Sequence, residues 1–110
     1  MAKAKYWHKG AVIDYVNETA ETIEANTIVA LGTSRIGVAG TDIPAGETGT
    51  LVMEGVFKIP KGDAALTAGA AVYYNADSGV ITAEKTDIPA GYAVQAADAA
   101  ATEVIVKLAG

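Results

Sequence analysis

Apolar residues in this chain come in short β-branched runs, each bounded by glycine, proline or small polar residues, and none sustains a convincing long helix. Ala11-Val12-Ile13-Asp14-Tyr15-Val16 reads as a strand. Thr27 to Leu31 reads as a buried strand, Gly32-Thr33-Ser34 as a tight turn, and Arg35 to Ala39 as the returning arm of a hairpin. Thr48 to Ile59 carries Leu51, Met53, Val56, Phe57 and Ile59. The parity of those positions switches around Gly55, which predicts a bulge or bend. Ala71 to Asn75 and Val80 to Ala83 flank Ala76-Asp77-Ser78-Gly79 as a second hairpin, and Tyr92 to Gln95 and Glu103 to Leu108 are the last strands. In Glu18 to Ala25 a helix face (Val16, Ala20, Ile23) competes with threonines that suit an edge strand or loop, and extended or irregular structure is expected. The alanine run Ala96 to Ala101 admits one helical turn. Together these signals predict an all-β fold, a small β-barrel or β-sandwich of short strands with Gly/Pro-rich turns and little helix.

Two repeats cut across this pattern. Thr41-Asp42-Ile43-Pro44-Ala45-Gly46 recurs letter for letter as Thr86-Asp87-Ile88-Pro89-Ala90-Gly91, an offset of 45 residues. Each copy has a proline to fix φ, a glycine free to take positive φ and an aspartate able to cap its own backbone, so both copies read as loops. More loosely, Gly37-Val38-Ala39 followed by Thr50-Leu51-Val52 resembles Gly91-Tyr92-Ala93 followed by Val104-Ile105-Val106, an offset of 54. The two offsets cannot both be a structural register. The second is expected to mark two related halves, with the hexapeptide a turn used twice.

At 110 residues the chain has the size of one domain. Hydrophobic residues make up 51%, but many are alanines, so the core is expected to be thin and association with other subunits or a larger surface would help it. Residues 1–9 read as a polar, flexible N-terminal arm and 10–110 as the β-barrel-like body. Lys3, Lys5 and Lys9 crowd that arm beside Tyr6, Trp7 and His8, whereas the whole chain carries a net charge of −5. An acidic body is a poor partner for nucleic acid. The lack of cysteine excludes disulfides and thiolate metal sites. The longest apolar stretches fall far short of the ~20 residues of a membrane span, and no signal-peptide pattern opens the chain. The expected location is the cytoplasm or a particle assembled there.

Candidate chemistry is sparse. His8, the one histidine, sits in the arm, where a catalytic base would lack fixed geometry. The two Lys-Gly steps, Lys9-Gly10 and Lys61-Gly62, run opposite to the Gly-Lys order of a phosphate-binding loop, and no Gly-x-Gly occurs. Asp42 and Asp87 have neither the local ligand density of a calcium loop nor the context of a glycosidase carboxyl pair, and read as loop caps. Asn17-Glu18-Thr19 matches a glycosylation acceptor, of little meaning without a signal peptide. No cofactor or small-molecule substrate is implied. The group left is Lys3, Lys5, Tyr6, Trp7, His8 and Lys9, where aromatics beside cations have the makeup of a binding hot spot.

The order of several segments resembles the small capsid cement, or head decoration, proteins of tailed phages and prophages. The resemblance rests on the Met-Ala-Lys start, a strand opened by Gly10, Ile36-Gly37-Val38-Ala39, Glu54-Gly55-Val56-Phe57-Lys58-Ile59-Pro60, Gly69-Ala70-Ala71-Val72-Tyr73 with Asn75 and Gly79, and Val104-Ile105-Val106-Lys107-Leu108. The acidic stretch Glu18 to Glu24 and the Tyr6-Trp7 pair depart from it. The resemblance implies a homotrimer on the outer face of an expanded capsid, made in the host bacterial cytoplasm and binding the major capsid protein through no chemistry beyond association. The arm residues would then contact the capsid. A second class also fits the residues: a small β-barrel module for carbohydrate or peptide on a phage tail or cell surface, with Tyr73, Tyr74 and Tyr92 as its patch.

Overall fold

A computed structural model describes residues 2–6 and 10–108. The regular structure among them is nine strands and no helix: β1 (Val12–Val16), β2 (Ile28–Leu31), β3 (Arg35–Ala39), β4 (Thr48–Val52), β5 (Val56–Pro60), β6 (Ala71–Asn75), β7 (Val80–Thr82), β8 (Ile88–Ala93) and β9 (Glu103–Leu108). They form a four-stranded sheet of order β1-β4-β3-β2 and a five-stranded sheet of order β5-β9-β8-β6-β7, every pair antiparallel. The second sheet curls until its edges meet at one bridge, Lys61 to Ile81, without closing. Of the two expected architectures, the fold is therefore the sandwich-like one.

The two sheets are built alike. Replacing β1, β4, β3 and β2 by β5, β9, β8 and β6 converts the first strand order into the second, with β7 added at the edge. Each half also has an isolated bridge in its loops, Ile23 to Ile43 in the first and Leu66 to Ala97 in the second. Both bridges carry two reciprocal backbone hydrogen bonds of 2.8–2.9 Å. After each bridge residue comes a four-residue turn closed by a bond from its last N–H to its first carbonyl: Thr27 to Glu24, Glu47 to Pro44, Ala70 to Thr67 and Ala101 to Asp98. In three of the four the third residue has positive φ, +71° at Asn26, +78° at Gly46 and +81° at Gly69, as a type II turn requires.

The expected 54-residue offset holds from Ala39 to Ala93 at the strand ends and from Ile43 to Ala97 at the bridges. It slips by one before the last strand, because Lys61 N–H donates to Thr102 O where Asn17 N–H donates to Glu47 O. The hexapeptide expectation is half wrong. The first copy is a loop and turn, but Ile88-Pro89-Ala90-Gly91 lies in β8. There Tyr73 faces Pro89 and Val72 faces Gly91, so Ala90 is an extra, bulged residue whose side chain is buried. A bulge is one of the few sheet positions that tolerates the missing N–H of proline. The last strand before the alanine run consequently covers Ile88–Ala93 and not Tyr92 to Gln95. The predicted bend in Thr48 to Ile59 is in fact the crossing between sheets, with Gly55 between β4 and β5. The alanine run holds the Ala97 bridge and a β-turn in place of a helical turn.

Two apolar clusters hold the molecule together. The larger joins Ile36 and Val38 of β3 to Ile59, Val72, Ala93, Val104, Val106 and Leu108 of the second sheet. The smaller lies on the opposite face of the first sheet, where Val29, Ala39, Leu51 and Met53 are capped by Ile43 from the loop and flanked by Ile13, Tyr15, Ile23 and Leu31. β3 is thus buried on both faces from Ile36 to Ala39. Gly49 of β4 is needed for that capping, since a side chain there would run into Ile43.

Candidate functional site

The arm residues Lys3, Lys5 and Tyr6 are exposed and outside any strand, with Tyr6 83% accessible. Trp7, His8 and Lys9, the rest of the predicted contact group, lie outside the described residues. Immediately beyond them the chain enters β1, an edge strand paired only with β4.

The other candidates resolve into structural roles. Asp42 Oδ1 accepts from the Ala25 N–H at 2.7 Å and so caps the neighbouring loop, where its own had been expected. Asp87 accepts from Thr82 Oγ1 at 2.5 Å and from Asn75 Nδ2 at 3.2 Å, tying down the β6–β7 hairpin. One sequence motif thus makes two different sets of bonds. Asn17 of the apparent glycosylation acceptor is fully buried. Its Nδ2 donates to Ile43 O at 2.7 Å and to Glu21 O at 2.8 Å, while its Oδ1 accepts from the Thr19 N–H and hydroxyl. A side chain so enclosed is a brace for the first half's loops.

The tyrosines expected for a sugar platform are divided. Tyr74 packs against the larger core cluster, whereas Tyr92 is exposed on the outer face of the second sheet. There Val56, Lys107 and Tyr92 lie in register across β5, β9 and β8, with the Lys107 Nζ 5.9 Å from the Tyr92 ring centroid. Beside this row is a shallow recess of about 330 Å³ whose lining includes Lys58, Gln95, Ala97, Thr102, Glu103 and Ile105. These groups can bind by contact and charge.

Sequence reasoning concentrated on the arm and missed the exposed apolar residues of the body, Val12, Val16, Val56, Tyr92 and Val94. Strand parity held the signal. Once Ile13 and Tyr15 turn inward, Val12 and Val16 must turn outward.

What the described residues present, then, is a set of exposed apolar and charged positions on two sheets of like strand order. A comparison with sequence families supplies the matching class: the phage cement protein profile matches residues 7–108. The chain belongs to the phage cement protein family. Membership gives this cement protein a structural, capsid-associated role in a phage and a place on the virion, in a family of structural proteins. Comparison with curated proteins and with solved structures finds no match.

Proposed function

We propose that this cement protein binds the outer surface of a tailed-phage capsid as a homotrimer and stabilises the lattice of the major capsid protein. The family match over residues 7–108 carries this reading, because it covers the body from the end of the arm to the end of β9. The surface supports it by offering a cationic, aromatic arm on an acidic body, a composition suited to docking. Binding free energy is then the function: a ligand that binds the assembled shell and not its dissociated subunits stabilises the shell, by about 2.7 kcal/mol per site at a hundred times its Kd. Synthesis belongs to the host cytoplasm and the working location to the capsid exterior.

The arm, Lys3 to Lys9, is the proposed contact with the capsid. Three arms on one trimer would multiply weak contacts, and such linkage raises avidity by about 10² to 10⁴. The test is cosedimentation with expanded capsids of the major capsid protein encoded in the same phage, with and without residues 1–9. The full chain is expected to pellet with capsids and to raise the temperature at which they disrupt. The truncated chain should keep its own melting temperature and bind at least about tenfold more weakly, a loss of roughly 1.4 kcal/mol. Unchanged affinity after truncation would remove the arm from the contact, and failure of the full chain to decorate capsids would remove the reading itself.

A further inference from the structure

We propose that copies of this chain associate head to tail, with the β1 edge of one copy seated on the outer face of the second sheet of the next. The inference deepens the trimer reading and rests on it for the number of subunits alone. Apart from Tyr6, the large apolar residues exposed to solvent in the described chain are Val12, Val16, Val56, Tyr92 and Val94, and they gather in two places. The first is β1, where Val12 (44% exposed) and Val16 (49%) flank Asp14 on one face of the strand. In register, Val12 stands beside Val52 and Val52 beside Val38, which is buried in the core between the sheets. The inter-sheet apolar face thus continues past the second sheet and ends uncovered on β1.

The second place is the outer row Val56, Lys107 and Tyr92, with Val56 57% and Tyr92 43% exposed. Lys107 is already poised over the Tyr92 ring. Both patches have one design, an apolar residue on either side of a charge, and the charges are opposite. Around β1 the sign repeats, with exposed Glu18 and Glu47 near the ends of β1 and β4; around the outer row exposed Lys58, two residues from Val56 on β5, adds to Lys107, while exposed Glu54 and Glu103 flank the row. A chain of net charge −5 repels its own copies unless its cations are directed at its acidic surfaces. Here each copy carries one acidic-apolar and one basic-apolar patch, which makes a second copy the matching occupant of each. Because the two patches are different surfaces, the contact is heterologous, and such contacts close into rings when the rotation allows. Closure after three copies gives the trimer.

The experiment is sedimentation equilibrium of the full chain from micromolar to several hundred micromolar, for the wild type, Asp14→Lys, Lys107→Asp and the double exchange. Both sites are exposed, and circular dichroism checks that each variant keeps its fold. Each single exchange places like charges face to face and is expected to weaken association at least about tenfold, since close interfacial charge pairs couple by about 1.5 kcal/mol or more. The double exchange should recover most of that loss. A wild type that stays monomeric throughout, single exchanges that associate like the wild type, or a double exchange no better than either single one would each overturn the proposal. Capsid cosedimentation on the same proteins separates the two readings. A wild type that binds capsids but stays monomeric retains the cement function without this interface, and one that associates but ignores capsids does the reverse.

Discussion

The halves β1–β4 and β5–β9 share a strand order but fill equivalent positions with different chemistry. In the first half the fully buried Ile43 caps the sheet above Gly49, which sits opposite Tyr15 of β1. In the second half the equivalent positions are Ala97 and Val104, the latter opposite Ile59 of β5. A large loop residue over a small strand residue has become a small one over a large one. The strand ends differ as sharply. β1 is followed by Asn17 and β5 by Lys61, the two buried polar residues of the described chain. Asn17 donates and accepts with its side chain, and Lys61 donates through Nζ to Gly62 O at 2.7 Å and Ala99 O at 3.3 Å. The shared topology is therefore set by the backbone clasps, while the volume and polarity under each clasp are exchangeable as matched sets.

The largest effect should come from unmatching the volumes. Ile43→Ala removes a fully buried side chain and is expected to cost about 3 kcal/mol. Gly49→Val drives a branched side chain into Ile43 and should cost about 2–3 kcal/mol. Combined, the two changes reproduce the second half's arrangement, and the double variant should be more stable than either single one. Urea denaturation of all four proteins measures this as a coupling of about 3 kcal/mol or more. Additive losses would mean that the halves are alike in outline only.

Next in size is the exchange of polarity. Asn17→Ala leaves Ile43 O without its side-chain donor and the Thr19 N–H without its acceptor, while Glu21 O keeps the Thr19 hydroxyl, and about 2 kcal/mol should be lost, or roughly 10 °C in Tm. Lys61→Met removes two hydrogen bonds but also the cost of keeping an ammonium group away from water. It should stay within about 1 kcal/mol of the wild type, as replacement of buried charge by apolar volume often does. Thermal melts that ranked these two variants the other way round would show Lys61 to be the tighter brace.

Most strands were legible in the sequence because β-branched runs such as Ala71 to Asn75 end at residues with strong turn preference. Sheet membership was not. A parity switch at Gly55 describes a bulge within one strand and a crossing between two sheets equally well, and only the partners β1 and β9 distinguish them. The hexapeptide shows the same limit. Pro44 opens a turn after a bridge residue and Pro89 sits at a bulge in β8, because proline fixes φ and removes a donor but leaves the surroundings to decide the use. The offset of 54 was visible in the letters, whereas the added Thr102 that shifts β9 was hidden among small residues. Of the candidate site, the composition of the arm was legible. The two patches of the body were not, since an outward valine such as Val56 looks like an inward one until strand pairing fixes the face.

The smallest effects belong to the turns. Asn26, Gly46 and Gly69 take positive φ at the third turn position, while their counterpart Ala100 does not. The fourth turn is followed by one more residue, Thr102, before β9, and that extra length is expected to replace the left-handed residue. Gly46→Ala and Gly69→Ala have open space around the new methyl group, so their cost should be the backbone term alone, about 1 kcal/mol each. Asn26→Gly relieves the same strain and should be neutral or stabilising by a few tenths of a kcal/mol. Ala100→Gly should instead lose about 0.5 kcal/mol, because it only adds freedom to the unfolded chain. Urea midpoints resolve the pattern. If Ala100→Gly stabilised the protein, the fourth turn would share the strain of the other three, and the added residue would not be what separates them.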